Sequence, residues 1–111
     1  MSDSSEWNRK GATLSHVTAE KEYGVAYDFI VRGIETGELE WRENSVWGNP
    51  FLRILRSQLE RYITAQLGAD YLTAKKSEAE LRSVNREIAN IKRRLAALQV
   101  RKAELETAIR R

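Results

Sequence analysis

The sequence lacks several residue types on which particular kinds of site depend. It contains no cysteine and a single histidine, His16, so disulfides and thiolate metal sites are excluded and an ordinary zinc site is not expected. No nucleophile–base pair and no glycine-rich phosphate loop occurs. Glu38, Glu40 and Glu43 lie close together in sequence without an accompanying histidine or lysine, so we interpret them as a solvated face. We therefore expect a protein that is not an enzyme and that holds neither a metal nor a cofactor.

Long hydrophobic runs are also absent. No uninterrupted apolar run reaches the length of about 18 residues that a membrane-spanning helix needs. The first residues, MSDSSEWNRKG, contain acids and no apolar segment of a signal peptide. We expect a protein that has no membrane partner and is cytoplasmic, or nuclear if its source has a nucleus.

Charge is divided unevenly along the chain. Lys and Arg number 19 and Asp and Glu number 16, which gives a net charge of +3. Residues 81–111 carry nine basic and three acidic side chains, a net charge of +6, so the rest of the chain has a net charge of −3. A basic helix attracts polyanions, but the same composition also keeps an exposed helix soluble. Both interpretations stay open at this point.

Two short helices are predicted after the first dozen residues. The segment LSHVTAEKEYG has Ser15 or Thr18 to cap its first amides and Gly24 to end it in the left-handed conformation. The segment VAYDFIVRGIETG predicts a second helix that ends at Gly37, and close packing against a neighbour is the expected reason for Gly33 inside it. Two helices joined by a short glycine-containing turn are typical of a helix-turn-helix.

A β-hairpin is predicted next, in GELEWRENSVWGNPFLRIL. Alternation places Leu39 and Trp41 on one face, and we expect Trp41 in the core. Gly48 or Asn49 supplies the positive φ of the turn. Trp47, at the loop tip, either pins the turn or meets a partner.

A further helix, QLERYITAQL, follows the hairpin and is predicted to close the head. Ser57 is its expected N-cap, and Gly68 follows its end. The apolar stripe that we expect to face the core comprises Leu59, Tyr62, Ile63 and Leu67.

The head resembles the winged helix-turn-helix heads of MerR regulators and phage excisionases. More loosely, KEYGV and VWGNPFLRILR resemble the carboxyl part of the DNA-binding domain of the xeroderma pigmentosum group A repair factor. The resemblance covers residues 14–63 and rests on core and turn positions: Ala19, Tyr23, Gly24, Val25, Ile30, Ile34, Gly37, Leu39, Arg56, Leu59, Tyr62 and Ile63.

The resemblance implies DNA contact through the second helix and the wing hairpin. The positions that it indicates on the helix are Tyr27, Asp28, Val31, Arg32 and Glu35, and on the wing Arg42, Arg53 and residues 44–49. Asp28 and Glu35 make the second helix acidic, which disfavours contact with DNA through that helix. The wing is the better supported contact, because its cations and aromatic rings suit backbone or single-strand binding. The alternative for Arg42 and Arg53 is pairing with Glu40 and Glu43 across the ladder. The candidate nucleic-acid-binding residues are Tyr27, Arg32, Arg42, Trp47, Asn49, Arg53 and Arg56.

The strongest pattern is an apolar repeat with alternating spacings of three and four residues. It predicts a coiled-coil seam made of Leu81, Val84, Ile88, Ile91, Leu95, Leu98, Lys102, Leu105 and Ile109. The alternative is a helix folded back on its own head. However, a helix over residues 70–110 would be about 60 Å long, which a head of about sixty residues does not cover. We therefore expect a dimerisation element, with a parallel homodimer slightly favoured.

The predicted fold class is thus α+β, with a small winged helix-turn-helix head followed by a long C-terminal coiled-coil helix. We expect a flexible arm over residues 1–13, the head over residues 14–68 and the coiled-coil helix over residues 69–111. Two functions remain open. The first is a dimeric nucleic-acid-binding protein, with DNA favoured over RNA as partner. The second is a non-enzymatic adaptor whose head and coil bind other proteins in a larger assembly.

Overall fold

The computed structural model describes residues 4–111 and has an α+β fold, as predicted. A three-stranded antiparallel sheet and several helices form a small head, and one long helix ends the chain. Contacts divide the chain into two compact units, one ending at Ser77 and the other spanning Glu78–Arg111. The elements in order are α1 Ser4–Asn8, β1 Thr13–Ser15, α2 His16–Tyr23, α3 Tyr27–Glu35, β2 Trp41–Val46, β3 Asn49–Leu55, α4 Arg56–Leu67 and α5 Ala69–Arg110.

The two predicted helices and the turn between them are confirmed as α2 and α3. Ser15 caps α2 by accepting a hydrogen bond from the Thr18 amide at 3.1 Å. Gly24 ends the helix with φ 66°, the left-handed conformation that glycine adopts without steric cost. Gly33 is buried against α4 and the segment after α3: a methyl group there would lie 2.6 Å from Leu39 Cδ1 and 2.9 Å from Tyr62 Cε2. Close packing is therefore the reason for this glycine.

The predicted hairpin is confirmed as β2 and β3, with β3 in the centre of the sheet order β1-β3-β2. The last pair is Val46 and Asn49, which leaves Trp47 and Gly48 as a two-residue turn. Their φ values are 55° and 81°, because a two-residue hairpin turn of this kind requires positive φ at both central positions. The prediction for Gly48 is correct, whereas Asn49 already belongs to the strand.

Trp41 does not lie in the core, so that prediction is wrong. Its side chain is 48% exposed, and the tryptophan that is buried is Trp7, at 2%. Trp7 belongs to α1, and β1 begins at Thr13 and pairs with β3. The flexible arm expected over residues 1–13 is therefore wrong for the residues that the structure describes, because burial of Trp7 and strand pairing order them; residues 1–3 lie outside the described part.

The core of the head lies between the helices and one face of the sheet. Its fully buried members include Ile30, Ile54, Leu59 and Ile63. The predicted stripe of α4 is confirmed apart from Leu67, which is 44% exposed. Ser57 does not cap α4, because the helix begins at Arg56 and the Ser57 hydroxyl donates to Glu6 at 2.5 Å instead.

The second unit, Glu78–Arg111, consists of the remainder of α5. None of the residues of α5 is buried. None of the helices within residues 4–111 is both long and apolar enough to cross a membrane.

Candidate nucleic-acid interface

The distal part of the hairpin is open to solvent on all sides. Residues 41–50 are all exposed. Trp47 is 96% exposed and its neighbour Val46 is 53% exposed. Asn49 and Asn44 are exposed amides beside the turn, and Asn44 Oδ1 accepts a hydrogen bond from the Ser45 amide at 2.9 Å. Trp47 therefore does not pin the turn by packing.

His16 connects the hairpin to the beginning of α3. Its Nδ1 accepts a hydrogen bond from the Leu52 amide of β3 at 3.0 Å. Its ring also meets Tyr27, the first residue of α3, edge to face, with 5.3 Å between ring centroids. The 45% exposed Tyr27 side chain is thereby placed beside the hairpin strand. Sequence reasoning missed this role of His16, although its position directly after β1 lets it extend the pairing of that strand with β3.

The outer surface of α3 carries both signs of charge. Asp28, Arg32 and Glu35 are exposed, and Val31 is half-buried. Arg32 and Glu35 also line a cleft of about 360 Å³ between α3 and α4. The acidic character expected for this helix is therefore present at its surface, with Arg32 as its exposed cation.

Arg53 is held inside the head by protein partners. Its Nη2 donates to the Trp7 carbonyl at 2.6 Å, and its Nε donates to the Thr13 hydroxyl at 2.9 Å. Arg42 lies directly opposite Arg53 in the ladder, and its guanidinium carbon is 4.3 Å from the centroid of the Trp7 ring. Pairing with Glu43 across the ladder is excluded, because Glu43 stands opposite Leu52. The guanidinium carbon of Arg53 lies 5.7 Å from the same centroid, so the Trp7 ring is near both cations.

Arg56 is also committed to internal contacts. Its Nη1 donates to Glu22 at 2.7 Å and to the Tyr23 hydroxyl at 2.8 Å, and its Nε donates to the Gly11 carbonyl at 3.3 Å. The Tyr23 hydroxyl in turn donates to Glu60 at 2.6 Å. Burial and this bond to Glu60 raise the pKa of Tyr23, while Arg56 acts in the opposite direction. Arg56 therefore joins α2 to α4.

These contacts sort the predicted site residues into two groups. Arg53 and Arg56 are engaged in hydrogen bonds within the head. The exposed group, which could meet a large partner, comprises Tyr27, Arg32, Arg42, Trp47 and Asn49. No cluster of three or more His, Asp or Glu residues that could hold a metal ion occurs within residues 4–111.

The predicted seam of α5 is exposed along its whole length. Its apolar members have exposed fractions between 43% for Val84 and 82% for Ile109. The heptad that starts at Leu81 places Arg82, Arg86 and Arg93 at outer positions, opposite the seam. Helix α5 thus combines an apolar seam with basic outer positions over residues 82–93.

Comparison with protein-family models, with curated proteins and with solved structures finds no match to this chain.

Proposed function

We propose that the protein binds nucleic acid as a coiled-coil homodimer, through the hairpin, α3 and the basic outer positions of α5. The observation that carries the proposal is the hairpin tip. Trp47, almost fully exposed, stands on a projecting turn whose strand is joined through His16 to Tyr27. An aromatic ring flanked by amide side chains is suited to contact with bases. DNA is favoured over RNA because the families that the head resembles bind DNA.

Phosphate contacts are assigned to the exposed cations. Arg32 and Arg42 belong to the exposed surface of the head, and stacking on Trp7 leaves the N–H edge of the Arg42 guanidinium able to donate. Arg82, Arg86 and Arg93 extend the positive charge along α5, where residues 81–111 have a net charge of +6. Lys and Arg contacts to phosphate release bound counterions, so affinity for nucleic acid falls as salt rises.

Dimerisation is assigned to the seam of α5. Eight apolar side chains at heptad spacing are exposed in the single chain, and a second copy of the same helix would remove them from water. In a parallel pair, Glu87 faces Lys92 of the other copy and Arg101 faces Glu106, while no such pair is repulsive. An antiparallel pair joins Glu87 to Arg94 and Glu80 to Arg101 of the other copy, but it brings Lys92 near Lys92 and Glu78 near Glu106. This balance favours the parallel orientation slightly, and parallel association is the proposed orientation.

A binding titration with charge variants tests the phosphate contacts. We expect Arg32→Ala and Arg42→Ala each to reduce the slope of log affinity against log salt by about one unit. Arg61→Ala removes the same charge from α4, outside the proposed interface, and should leave the slope unchanged. Single-stranded and duplex oligonucleotides are compared in the same series. Absence of binding by the wild-type protein at about 50 mM salt, where phosphate contacts are still strong, would contradict the proposal.

A crosslinking experiment tests the orientation. Because the chain has no cysteine, Leu105→Cys introduces a single thiol at a seam position. A parallel dimer places this thiol next to its own copy, so we expect a disulfide-linked dimer on mild oxidation. A protein that sediments as a dimer but does not crosslink would exclude the parallel orientation.

The second candidate function is that of a protein-interaction adaptor. The observation that favours it is the cleft between α3 and α4, where Glu35 and Glu38 border the apolar side chains of Phe29 and Leu67 and outnumber the one cation of the lining, Arg32. Such a surface suits a basic, partly apolar peptide better than a phosphate backbone. Failure of the nucleic-acid titration, together with an intact dimer, would favour this function.

A further inference from the structure

The turn of the hairpin places its largest side chain in a conformation that only a few residue types adopt easily. Trp47 has φ 55°, and glycine or asparagine would occupy this position of a two-residue turn at lower cost. Residues held in such conformations are found disproportionately at functional sites. The ring of Trp47 makes no ring contact and no hydrogen bond to any residue of the described chain, 4–111, and it is 96% exposed. Packing within the head therefore does not account for it.

The chemistry around Trp47 restricts the kind of partner. Residues 44–51, NSVWGNPF, carry no charged side chain, so the tip itself does not bind phosphate through an ion pair. Val46 and Pro50 are the other exposed apolar side chains at the tip, and the remaining residues of positions 44–49 are polar or glycine. A protein-binding surface of useful strength needs a larger contiguous apolar area than one ring, one valine and one proline provide. A single flat ring with amides beside it matches a nucleobase, which offers a flat π surface and polar edges.

We infer that Trp47 stacks on an unpaired nucleobase, so that the hairpin tip recognises single-stranded or locally opened nucleic acid. This inference rests on the nucleic-acid binding proposed above and adds which part of the ligand the tip contacts. Stacking on an aromatic side chain tolerates any base because each has a π face. Asn49, exposed at the base of the turn, is placed to donate to or accept from a base edge. Arg32 of α3 and Arg42 of the hairpin hold the backbone, and the tip holds the base.

Trp47→Asn is the variant that separates stacking from folding. Asparagine tolerates the left-handed conformation, so the turn is retained and the melting temperature should be equal to or above that of the wild-type protein. Trp47→Phe keeps an aromatic ring and serves as the conservative variant. Trp41→Phe changes the half-exposed tryptophan outside the turn and serves as the matched control.

The experiment measures the affinity of these variants for an oligothymidine and for a blunt duplex over a range of salt concentrations. We expect Trp47→Asn to weaken binding of oligothymidine by about tenfold or more, with an unchanged salt slope because no phosphate contact is lost. Trp47→Phe should retain most of the affinity, and Trp41→Phe should bind as the wild-type protein does. The tryptophans that remain in the Trp41→Phe protein are Trp7 and Trp47. Because Trp7 is buried, quenching of the tryptophan fluorescence by oligothymidine should report contact with Trp47.

The possible failures are distinguishable. If the wild-type protein binds neither oligonucleotide, the proposed function fails and the stacking inference fails with it. If the wild-type protein binds with a normal salt slope but Trp47→Asn binds equally well, nucleic-acid binding stands and stacking by Trp47 is excluded. If Trp47→Asn weakens duplex and oligothymidine equally, contact with an unpaired base is excluded.

Discussion

Trp7 illustrates, at the scale of single residues, a role that the sequence does not reveal. It lies among Ser, Asp, Glu and Asn, a composition that predicts a flexible segment, and no periodic pattern includes it. The structure buries its indole under the guanidinium of Arg42 and uses its carbonyl to hold Arg53. A side chain that packs through contacts distant in sequence gives no local signal. Strand alternation is a local signal, and it placed Trp41 in the core instead.

Stability measurements on two tryptophan variants test this assignment. Trp7→Ala should lower the free energy of unfolding by about 3–5 kcal/mol, the usual cost of truncating a buried tryptophan. Trp41→Ala should cost clearly less, because the Trp41 side chain is 48% exposed. Chemical denaturation followed by circular dichroism measures both. A loss for Trp7→Ala no larger than that for Trp41→Ala would show that Trp7 is not the buried tryptophan.

The hydroxyl of Tyr23 gives a prediction for alkaline pH. Burial and the hydrogen bond to Glu60 raise the pKa of Tyr23 in the folded protein above its ordinary value. The unfolded chain therefore releases this proton first, and the stability that neutral Tyr23 provides is present below its ordinary pKa of about 10 and is lost as pH rises above it. The wild-type free energy of unfolding should accordingly fall more steeply than that of Tyr23→Phe between about pH 9 and pH 11. Parallel pH profiles would contradict this role of the hydroxyl.

At the scale of elements, the sequence predicts α2, α3 and the hairpin because their signals are local. Ser15 and Gly24 mark the two ends of α2. The turn of the hairpin depends only on positive φ at the adjacent residues Trp47 and Gly48. The contacts that join these elements are not local. The hydrogen bond of His16 to Leu52 and those of Arg56 to Glu22 and Tyr23 each span more than thirty residues. Because such partners are distant in sequence, the sequence alone indicated Arg53 and Arg56 as candidate nucleic-acid-binding residues.

Gly33 tests the packing of α3 against its neighbours. Alanine favours helix over glycine by about 1 kcal/mol, but here its methyl group would lie 2.6 Å from Leu39 Cδ1, and overpacking of this kind costs about 1–3 kcal/mol. Gly33→Ala should therefore lower the free energy of unfolding despite the gain in helix propensity. Leu39→Val should cost less in the Gly33→Ala background than in the wild-type protein. A stabilised Gly33→Ala protein would show that the α3 packing is looser than described.

At the scale of the whole molecule, the sequence predicts the division into a head and a long helix. The seam of α5 is readable because each of its members lies three or four residues from the next, and the slightly acidic head contrasts with a basic helix. The apolar side chains of the seam are exposed along the second unit, and the proposed dimer would cover them. Association therefore has to be measured.

The central claim is that a dimer of this chain binds nucleic acid. Sedimentation equilibrium with a fluorescently labelled oligonucleotide tests it most directly. At micromolar protein and about 50 mM salt, where phosphate contacts are still strong, we expect the free protein at twice its chain mass of 12.8 kDa. The labelled oligonucleotide should sediment with two chains bound. Leu98→Asp, which places a charge in the seam, should give a monomer with weaker binding. A monomeric wild-type protein, or a dimer that leaves the oligonucleotide free under these conditions, would contradict the account.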